Sequence, residues 1–264
     1  MKKHAARAAA LAIAGSLSIG SSLAFADHGY GRPNPCKDLP SHGALRAALQ
    51  AAQDLANGGF GLNMWATVVN RDGVVCGVAF TGDHRGDQWP GSRVISAQKA
   101  NTANAFSLPG LALSTANLFT AVQPGGSLFG LQESNPVRTA VAYGGDASNF
   151  GRWNDPMVGE RIGGVNVFGG GLALYNASGK LVGGIGVSGD SSCADHNIAW
   201  RTRHTLQLDH VPAGVSGDPT RPDNIVYDIT SQPGQMSGLS AGGWGHAACS
   251  AAATAIAAAL PVIP

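Results

Sequence analysis

The sequence predicts an α+β domain in which helices pack on the faces of an antiparallel β-sheet. Two segments carry the signal of a β-hairpin, at residues 62–80 and 167–189, and each is followed by a segment that reads as a helix. Another helical segment precedes the first hairpin. Helices and paired strands in this order build a layered antiparallel sheet, because hairpins join neighbouring antiparallel strands directly.

The first helix and the first hairpin follow a Pro-rich entry. Ser41 is a favourable N-cap, the apolar residues after it recur at helical spacing, and Asn57-Gly58-Gly59 ends the pattern. The segment LNMWATVVNRDGVVCGVAF then holds two runs rich in β-branched and aromatic residues, joined at Arg71-Asp72-Gly73. We therefore predict a helix over 42–56 and then a hairpin.

The next elements are predicted to be helical. The polar loop TGDHRGDQWPG leads to Ser92, which we predict as the N-cap of a helix over 93–106 that ends before Pro109-Gly110. A further helix is predicted over 113–122. Residues 124–170 then form a long Gly-rich connection, which in a compact domain is usually a functional lid or an oligomer contact.

The second hairpin turns at Ala177-Ser178-Gly179 and leads into a polar corner, SGDSSCADH. Ser191 or Ser192 can cap the closing helix, which we predict over 193–205. The tail, 206–264, is rich in turns and ends in an Ala-rich segment that predicts a short helix. That helix is too short and too weakly apolar to cross a bilayer.

The N-terminus has the pattern of a secretory signal peptide. Lys2, Lys3 and Arg7 precede an apolar run, and Ala24-Phe25-Ala26 fits the cleavage rule, so we expect a mature chain that starts at Asp27. The alternative is a retained N-terminal anchor. With cleavage, residues 27–264 form a single domain, and the protein is periplasmic or secreted.

Charge argues against nucleic acid and anionic membrane surfaces as partners. Removal of residues 1–26 takes three of the 17 basic residues and none of the 16 acidic ones, which leaves fourteen against sixteen and a net charge of −2 with histidines neutral. No basic cluster survives, whereas both kinds of partner are bound through clustered Lys and Arg.

The four cysteines predict two disulfides, because the chain is exported and contains no C-x-x-C pair typical of zinc. Three pairings are possible. A helix and the strand after it run antiparallel when their connection is short, which brings Cys36 near Cys76 at the start of the second strand. Cys193 is then left for Cys249, and this second bridge would tether the C-terminal extension.

Three stretches match, in order, the motifs of a known family. The hairpin VVNRDGVV resembles V-V-D-x-x-G-x-L, SRVISAQKANTANAF resembles S-x-x-x-A-x-x-K-A-x-T-A-x-x-F, and GGIGVSG resembles G-A-I-G-V-S-G. A helix that carries Asp195 at the family's aspartate position follows. The chain therefore resembles the GlcG/HbpS-like haem-binding (also called haem-degrading) family, whose fold recurs at the C-terminus of PduO-type adenosyltransferases.

The resemblance covers the core, roughly residues 41–205, and it implies a sheet of about five strands, haem or a related small molecule as ligand, and a homo-oligomer. The chain departs from the family in four places. Ser96 replaces a motif alanine. The family's R-x-D-G-A motif before the helix is matched only in part, and either Asp83 or Asp87 takes the place of its aspartate. The 124–170 connection and the 206–264 extension exceed the usual length.

The candidate ligand site lies where helix 93–106 faces residues 188–196. Ser92, Lys99 and Phe106 share one face of the helix, with Thr102 beside Lys99, and a lysine there is suited to a haem carboxylate. The alternative is a solvated lysine that only favours the helix. Asp195 and His196 would form the opposite wall.

Histidine is the obvious ligand for haem iron. The candidates are His84, His196 and His246, although each histidine also has a structural interpretation, and the family motif contains none.

Three functions remain open at the level of sequence. The chain is an exported haem-binding protein for scavenging, storage or sensing, an enzyme that acts on haem or a small hydroxy acid, or a non-catalytic exported oligomer. A serine hydrolase is disfavoured because no G-x-S-x-G elbow occurs. No catalytic residue is predicted.

Overall fold

A four-stranded antiparallel sheet lies at the centre of the structure, a computed structural model that describes residues 34–264. The strand order is β2-β1-β4-β3. The strands are β1 Trp65–Asn70, β2 Val75–Phe80, β3 Gly171–Tyr175 and β4 Leu181–Ser188, with a separate hairpin of β5 Ile229–Gln232 and β6 Gln235–Ser240. The α-helices are α1 His42–Gln53, α2 Ser92–Ala105, α3 Thr139–Ala142, α4 Ser192–Thr205 and α5 Ala251–Ala258.

The α+β class is confirmed, but the prediction of about five strands in the sheet is wrong. The fifth position, beside β3, is occupied by the chain after α4, which makes a single parallel bridge between Tyr175 and Asp209. The Tyr175 amide donates to Leu208 O at 2.8 Å, and the ladder extends no further. Pro212 follows at once and has no N–H to donate, so this segment cannot continue as a strand.

The two faces of the sheet carry different helices. Leu45 of α1 and Ile198 of α4 pack in one core cluster with Val68 of β1, whereas Val69 packs on the opposite side with Val94 of α2. Neighbouring residues of a strand point to opposite faces, so β1 contributes to both layers. The sheet is therefore covered on both faces.

Helix α2 approaches the sheet closely because β4 is rich in glycine. A Cβ at Gly186 would collide with the carbonyl of Ser96, and one at Gly184 would collide with that of Ala100. The motif GGIGVSG thus has a packing role, since only glycine allows the helix backbone to lie directly on the strand.

The predicted N-terminal caps are confirmed for α1 and α4 but not for α2. Ser41 caps α1 and accepts from the Ala44 amide at 3.3 Å, and Ser191 caps α4 through the Ala194 amide at 3.4 Å. Ser92 is not the cap of α2. Gly91 takes that position in a helical conformation, so the helix begins at Ser92, whose hydroxyl lies 3.3 Å from that of Ser188.

Residues 113–122 do not form the predicted continuous helix. They form two short 3-10 helices, Thr115–Leu118 and Thr120–Val122, that meet at Phe119. Ser114 and Asn117 close a reciprocal capping box over the first of them. The three-residue spacing of this box suits a tight turn, and the following bend places Val122 in a small apolar cluster with Leu118.

The long connection is fastened to α2 by a buried ion pair. Arg93 donates to both carboxylate oxygens of Asp155, and its Nη1 donates to Ala142 O at 2.8 Å. The guanidinium carbon also lies 3.7 Å from the ring centroid of Phe150. Asp155 in turn accepts from the Gly151 amide at 2.7 Å. A single buried arginine therefore organises most of residues 142–157.

Both predicted disulfides are present, Cys36–Cys76 and Cys193–Cys249. The second joins the start of α4 to the segment before α5, as expected for a tethered extension. Among residues 34–264, no helix is long and apolar enough to cross a membrane. The predicted signal peptide, residues 1–26, lies outside the described residues.

Candidate functional site

The structure brings together Lys99 and Asp195, as the sequence predicted, but as a buried ion pair. Lys99 Nζ donates to Asp195 Oδ2 at 2.7 Å and to Val187 O at 3.0 Å. The other carboxylate oxygen of Asp195 accepts from the amides of Gly189 at 3.1 Å and Asp190 at 2.9 Å. Burial raises the pKa of Asp195 to about 6 against the opposing effect of Lys99, so this carboxylate is mostly ionised at neutral pH.

The segment just before β3 closes over this pair. A Cβ at Gly170 would lie 3.1 Å from Lys99 Nζ and 3.0 Å from the Cβ of Asp195. Gly170 has a φ of 116°, a conformation that side chains rarely adopt. Thr115 holds the segment, because its hydroxyl donates to Phe168 O and accepts from the Gly171 amide at 2.8 Å. Lys99 is accordingly only 1% exposed.

Two histidines lie behind the same segment. His196 Nε2 is 3.1 Å from both Asn224 Oδ1 and the Ile225 amide, and its Nδ1 has no partner among residues 34–264. His246 Nδ1 donates to Ala247 O at 2.7 Å, which leaves Nε2 to accept from the Gly169 amide at 3.4 Å. Burial lowers the pKa of His196 to about 3 and of His246 to about 4. Both rings are therefore neutral at physiological pH.

The remaining predicted site residues divide between this cluster and the surface. Thr102 is buried, donates to Gln98 O at 2.8 Å and accepts from the Asn166 amide at 3.0 Å. Ser92 is buried beside Ser188. His84 lies in the exposed loop between β2 and α2, away from the buried cluster. Of the two predicted walls, Lys99 of the first and Asp195 of the second are in contact, whereas the hydrogen bonds of Thr102 and His196 go to other parts of the protein.

An open cleft lies elsewhere, between the start of α1 and the long connection. Its volume is about 410 Å³, within the usual range for small-molecule sites. Its lining residues come from three segments, 42–46, 80–83 and 149–154. They are His42, Arg46, Phe80, Asp83, Asn149, Gly151, Arg152, Trp153 and Asn154. His84 neighbours this lining through Asp83.

The cleft combines cationic, aromatic and imidazole groups. His42 Nε2 lies 2.9 Å from Gly151 O, and since a carbonyl only accepts, Nε2 carries the proton and the neutral ring keeps Nδ1 as an acceptor. Arg46 donates to Phe80 O at 3.1 Å and to Gly82 O at 3.3 Å. Sequence patterns do not predict this site, because His42 and Gly151, which meet across it, are 109 residues apart along the chain.

A second, smaller pocket lies between the loop after α1 and the start of α4. Its volume is about 190 Å³ and Asp190 lines it. Both Asp190 oxygens already accept from backbone amides, including Phe60 at 2.9 Å and Leu62 at 3.1 Å. Within the described chain, no group of three or more His, Cys, Asp or Glu side chains could hold a metal ion.

The family model of the haem-degrading HbpS-like proteins matches residues 41–203, which span the whole central sheet and α1 to α4. The chain belongs to the HbpS-like family. The resemblance read from the three sequence motifs is thereby confirmed. The outer wall of the cleft lies in the 124–170 connection, within the range that the family model matches. No curated protein matches the chain.

Solved structures similar to this chain include a PduOC–heme complex, the ORFY protein of Klebsiella pneumoniae and HbpS. The PduOC–heme complex is 23% identical, with a TM-score of 0.45, over 66% of this chain and 98% of that chain. The ORFY protein is 23% identical, with a TM-score of 0.43, over 63% and 90%. HbpS is 19% identical, with a TM-score of 0.38, over 63% and 89%.

Proposed function

We propose that this protein binds haem or a closely related tetrapyrrole outside the cytoplasm. The observation that carries the proposal is the HbpS-like family match over residues 41–203, because it covers every element of the central sheet. The two disulfides support an oxidising compartment, and the sequence of residues 1–26 supports export. Scavenging, storage and sensing are all consistent with such a protein.

Haem does not fit the buried cluster as it stands. The ammonium of Lys99 is occupied by Asp195, and residues 169–171 lie directly over both side chains. The unpartnered Nδ1 of His196 has the chemistry of an iron ligand, but the ring is fully buried, and neither the cleft nor the small pocket includes it in its lining. A haem at Lys99 would require residues 169–171 to move away.

Hemin titration of the mature chain, residues 27–264, tests the proposal. We expect a saturable shift of the Soret band with a fixed stoichiometry per chain. The same titration on urea-unfolded protein measures non-specific association and is the control. A Soret spectrum identical to that of free hemin, at protein concentrations up to the millimolar range, would contradict the proposal.

The family description, haem-degrading, makes turnover a second candidate function. The same sample with a reductant and O₂ tests it, because degradation destroys the Soret band and yields a product that chromatography separates from haem. We expect a stable haem complex. Catalytic product formation would favour the enzyme, and binding without product would favour a carrier, store or sensor.

A further inference from the structure

We propose that the cleft between α1 and residues 149–154 is the tetrapyrrole site of this chain, and that it takes a planar aromatic ligand with at least two carboxylates. The inference rests on the proposed function and deepens it by naming the site and the recognising groups. It places the ligand on a wall that the long connection of this chain supplies, at a distance from the buried Lys99 cluster.

Two arginines give the cleft its affinity for carboxylates. Arg46 and Arg152 lie in its lining, and neither forms an ion pair with any acid among residues 34–264. The carbonyls of Phe80 and Gly82 hold Arg46 in place while leaving its charge uncompensated. Arginine suits such a role because its fork of N–H donors binds a carboxylate in a bidentate way.

One acidic side chain in the lining opposes these charges. Asp83 lies at the exposed rim of the cleft, beside His84. A carboxylate there repels an anionic ligand, so its effect on affinity has the opposite sign to that of the arginines.

The aromatic groups of the cleft suit a planar ligand. Trp153 is 76% exposed, although burying an indole is favourable, and it lies in the same lining as Phe80. A large apolar ring held open to solvent beside two unpaired arginines is the arrangement expected for stacking on a flat, negatively charged partner.

His42 would supply the nitrogen that holds the iron. Donation from Nε2 to Gly151 O fixes the ring and leaves Nδ1 as the acceptor, which is how metal-ligating histidines are usually oriented. Gly151 is essential to this contact, because its φ is 75° and a Cβ there would collide with the ring of Phe80. The backbone of the connection can therefore approach α1 only through glycine at this position.

The wall formed by the connection is braced in place. The buried Arg93–Asp155 pair holds it from behind, and Asp155 accepts from the Gly151 amide, the same residue whose carbonyl receives His42. Bracing before ligand arrives lowers the entropy cost of binding. The connection thus completes a pre-formed site.

Matched substitutions on exposed side chains test the proposal. Arg152→Glu and Trp153→Ala should each weaken binding of both hemin and iron-free protoporphyrin, by about ten- to a hundredfold for the arginine. The controls are Arg138→Glu, in the same connection but outside the lining, and Trp89→Ala, another exposed tryptophan. Both controls should bind as the unmodified chain does. Asp83→Asn should strengthen binding.

The role of His42 has its own measurement. His42→Ala should change the position of the hemin Soret band and weaken binding of hemin more than binding of iron-free protoporphyrin. His84→Ala, an exposed histidine in the neighbouring loop, is the control and should change neither quantity. An unchanged Soret band in His42→Ala would remove the assignment of His42 as ligand.

The outcomes separate this inference from the proposed function. If the unmodified chain binds hemin and the Arg152 and Trp153 variants bind it equally well, the cleft is not the site, while the function stands. If the unmodified chain binds neither hemin nor iron-free protoporphyrin, both proposals are wrong. Circular dichroism on each variant distinguishes loss of binding from loss of folding.

Discussion

At the scale of single residues, the role of Lys99 is where the sequence-based expectation and the structure differ most. The sequence predicts a haem anchor that, when removed, weakens hemin binding about ten- to a hundredfold. The structure gives the ammonium a buried partner, Asp195, and no open space beside it. The two interpretations predict different consequences for the same substitution.

Removal of Lys99 should therefore act mainly on folding. Lys99→Ala leaves the Asp195 carboxylate buried without its partner, and such a change costs about 3–5 kcal/mol in the free energy of unfolding. Urea unfolding measures this cost. The double variant Lys99→Met with Asp195→Asn removes both charges, keeps an acceptor for the amides of Gly189 and Asp190, and should recover much of the loss. A stable Lys99→Ala protein with weakened hemin binding would instead restore Lys99 as the anchor.

The buried histidines predict a dependence of stability on acid. Burial holds the pKa of His246 at about 4 and of His196 at about 3, below the 6.5 of the unfolded chain. The unfolded state therefore binds more protons between about pH 4 and 6.5, and stability falls as the pH drops through that window. The pKa of Asp195 is raised from 3.8 to about 6, so over most of this window the folded state binds one proton at Asp195 that the unfolded state does not. This proton partly offsets the loss of stability caused by the histidines.

For His196, His246 and Asp195 together, the unfolded state binds about one more proton than the folded state between roughly pH 4 and 6. The free energy of unfolding should therefore change by about 1.4 kcal/mol per pH unit in this range. His246→Gln should flatten the slope and His84→Gln, on the surface, should leave it unchanged. Urea unfolding at several pH values from 4 to 7.5 measures it. Equal slopes in the two variants would show that His246 does not cause the acid sensitivity.

At the scale of elements, the Cys193–Cys249 disulfide joins α4 to the tail that carries His246. The bond spans 56 residues, and in the chain-entropy model its loss costs about 4 kcal/mol. We expect the double variant Cys193→Ala with Cys249→Ala to lose about this much in urea unfolding.

The other disulfide provides the comparison for this prediction. Cys36–Cys76 spans 40 residues and lies at the opposite end of the chain, so its removal should cost a similar amount without loosening the tail. Limited proteolysis of residues 241–250 separates the two variants. Equal cleavage of the tail in both would contradict a specific tethering role for Cys193–Cys249.

At the scale of the whole molecule, we expect the mature chain to form a homo-oligomer. Several large apolar side chains are exposed in the described part away from the cleft lining, among them Phe60, Phe129 and Tyr143, and such surface commonly marks contacts between chains. Light scattering at micromolar concentrations measures the mass. A monomer across that range would contradict the prediction, and Phe60→Ser with Phe129→Ser should reduce assembly if these residues form the contact.

The sequence by itself determined the elements of the core and their order. The caps at Ser41 and Ser191 and the turn at Gly73 followed from local patterns, because capping and turn geometry are decided by residues close together in the chain. Both disulfides followed from the order and direction of the predicted elements. The juxtaposition of Lys99 with Asp195 also followed, since the family motifs place them on facing elements.

Only the tertiary structure decided what those residues face. Gly170 comes from the segment before β3 and covers the ion pair, and no local pattern predicts that approach. The four-strand sheet likewise depends on the path taken after α4, where Pro212 stops the ladder. The cleft exists because Gly151 meets His42, which is 109 residues away along the chain. The buried Arg93–Asp155 pair and packing against Phe80 hold Gly151 in this position. Long-range packing of this kind carries no periodic signal, so the open site appears only when the chain is folded.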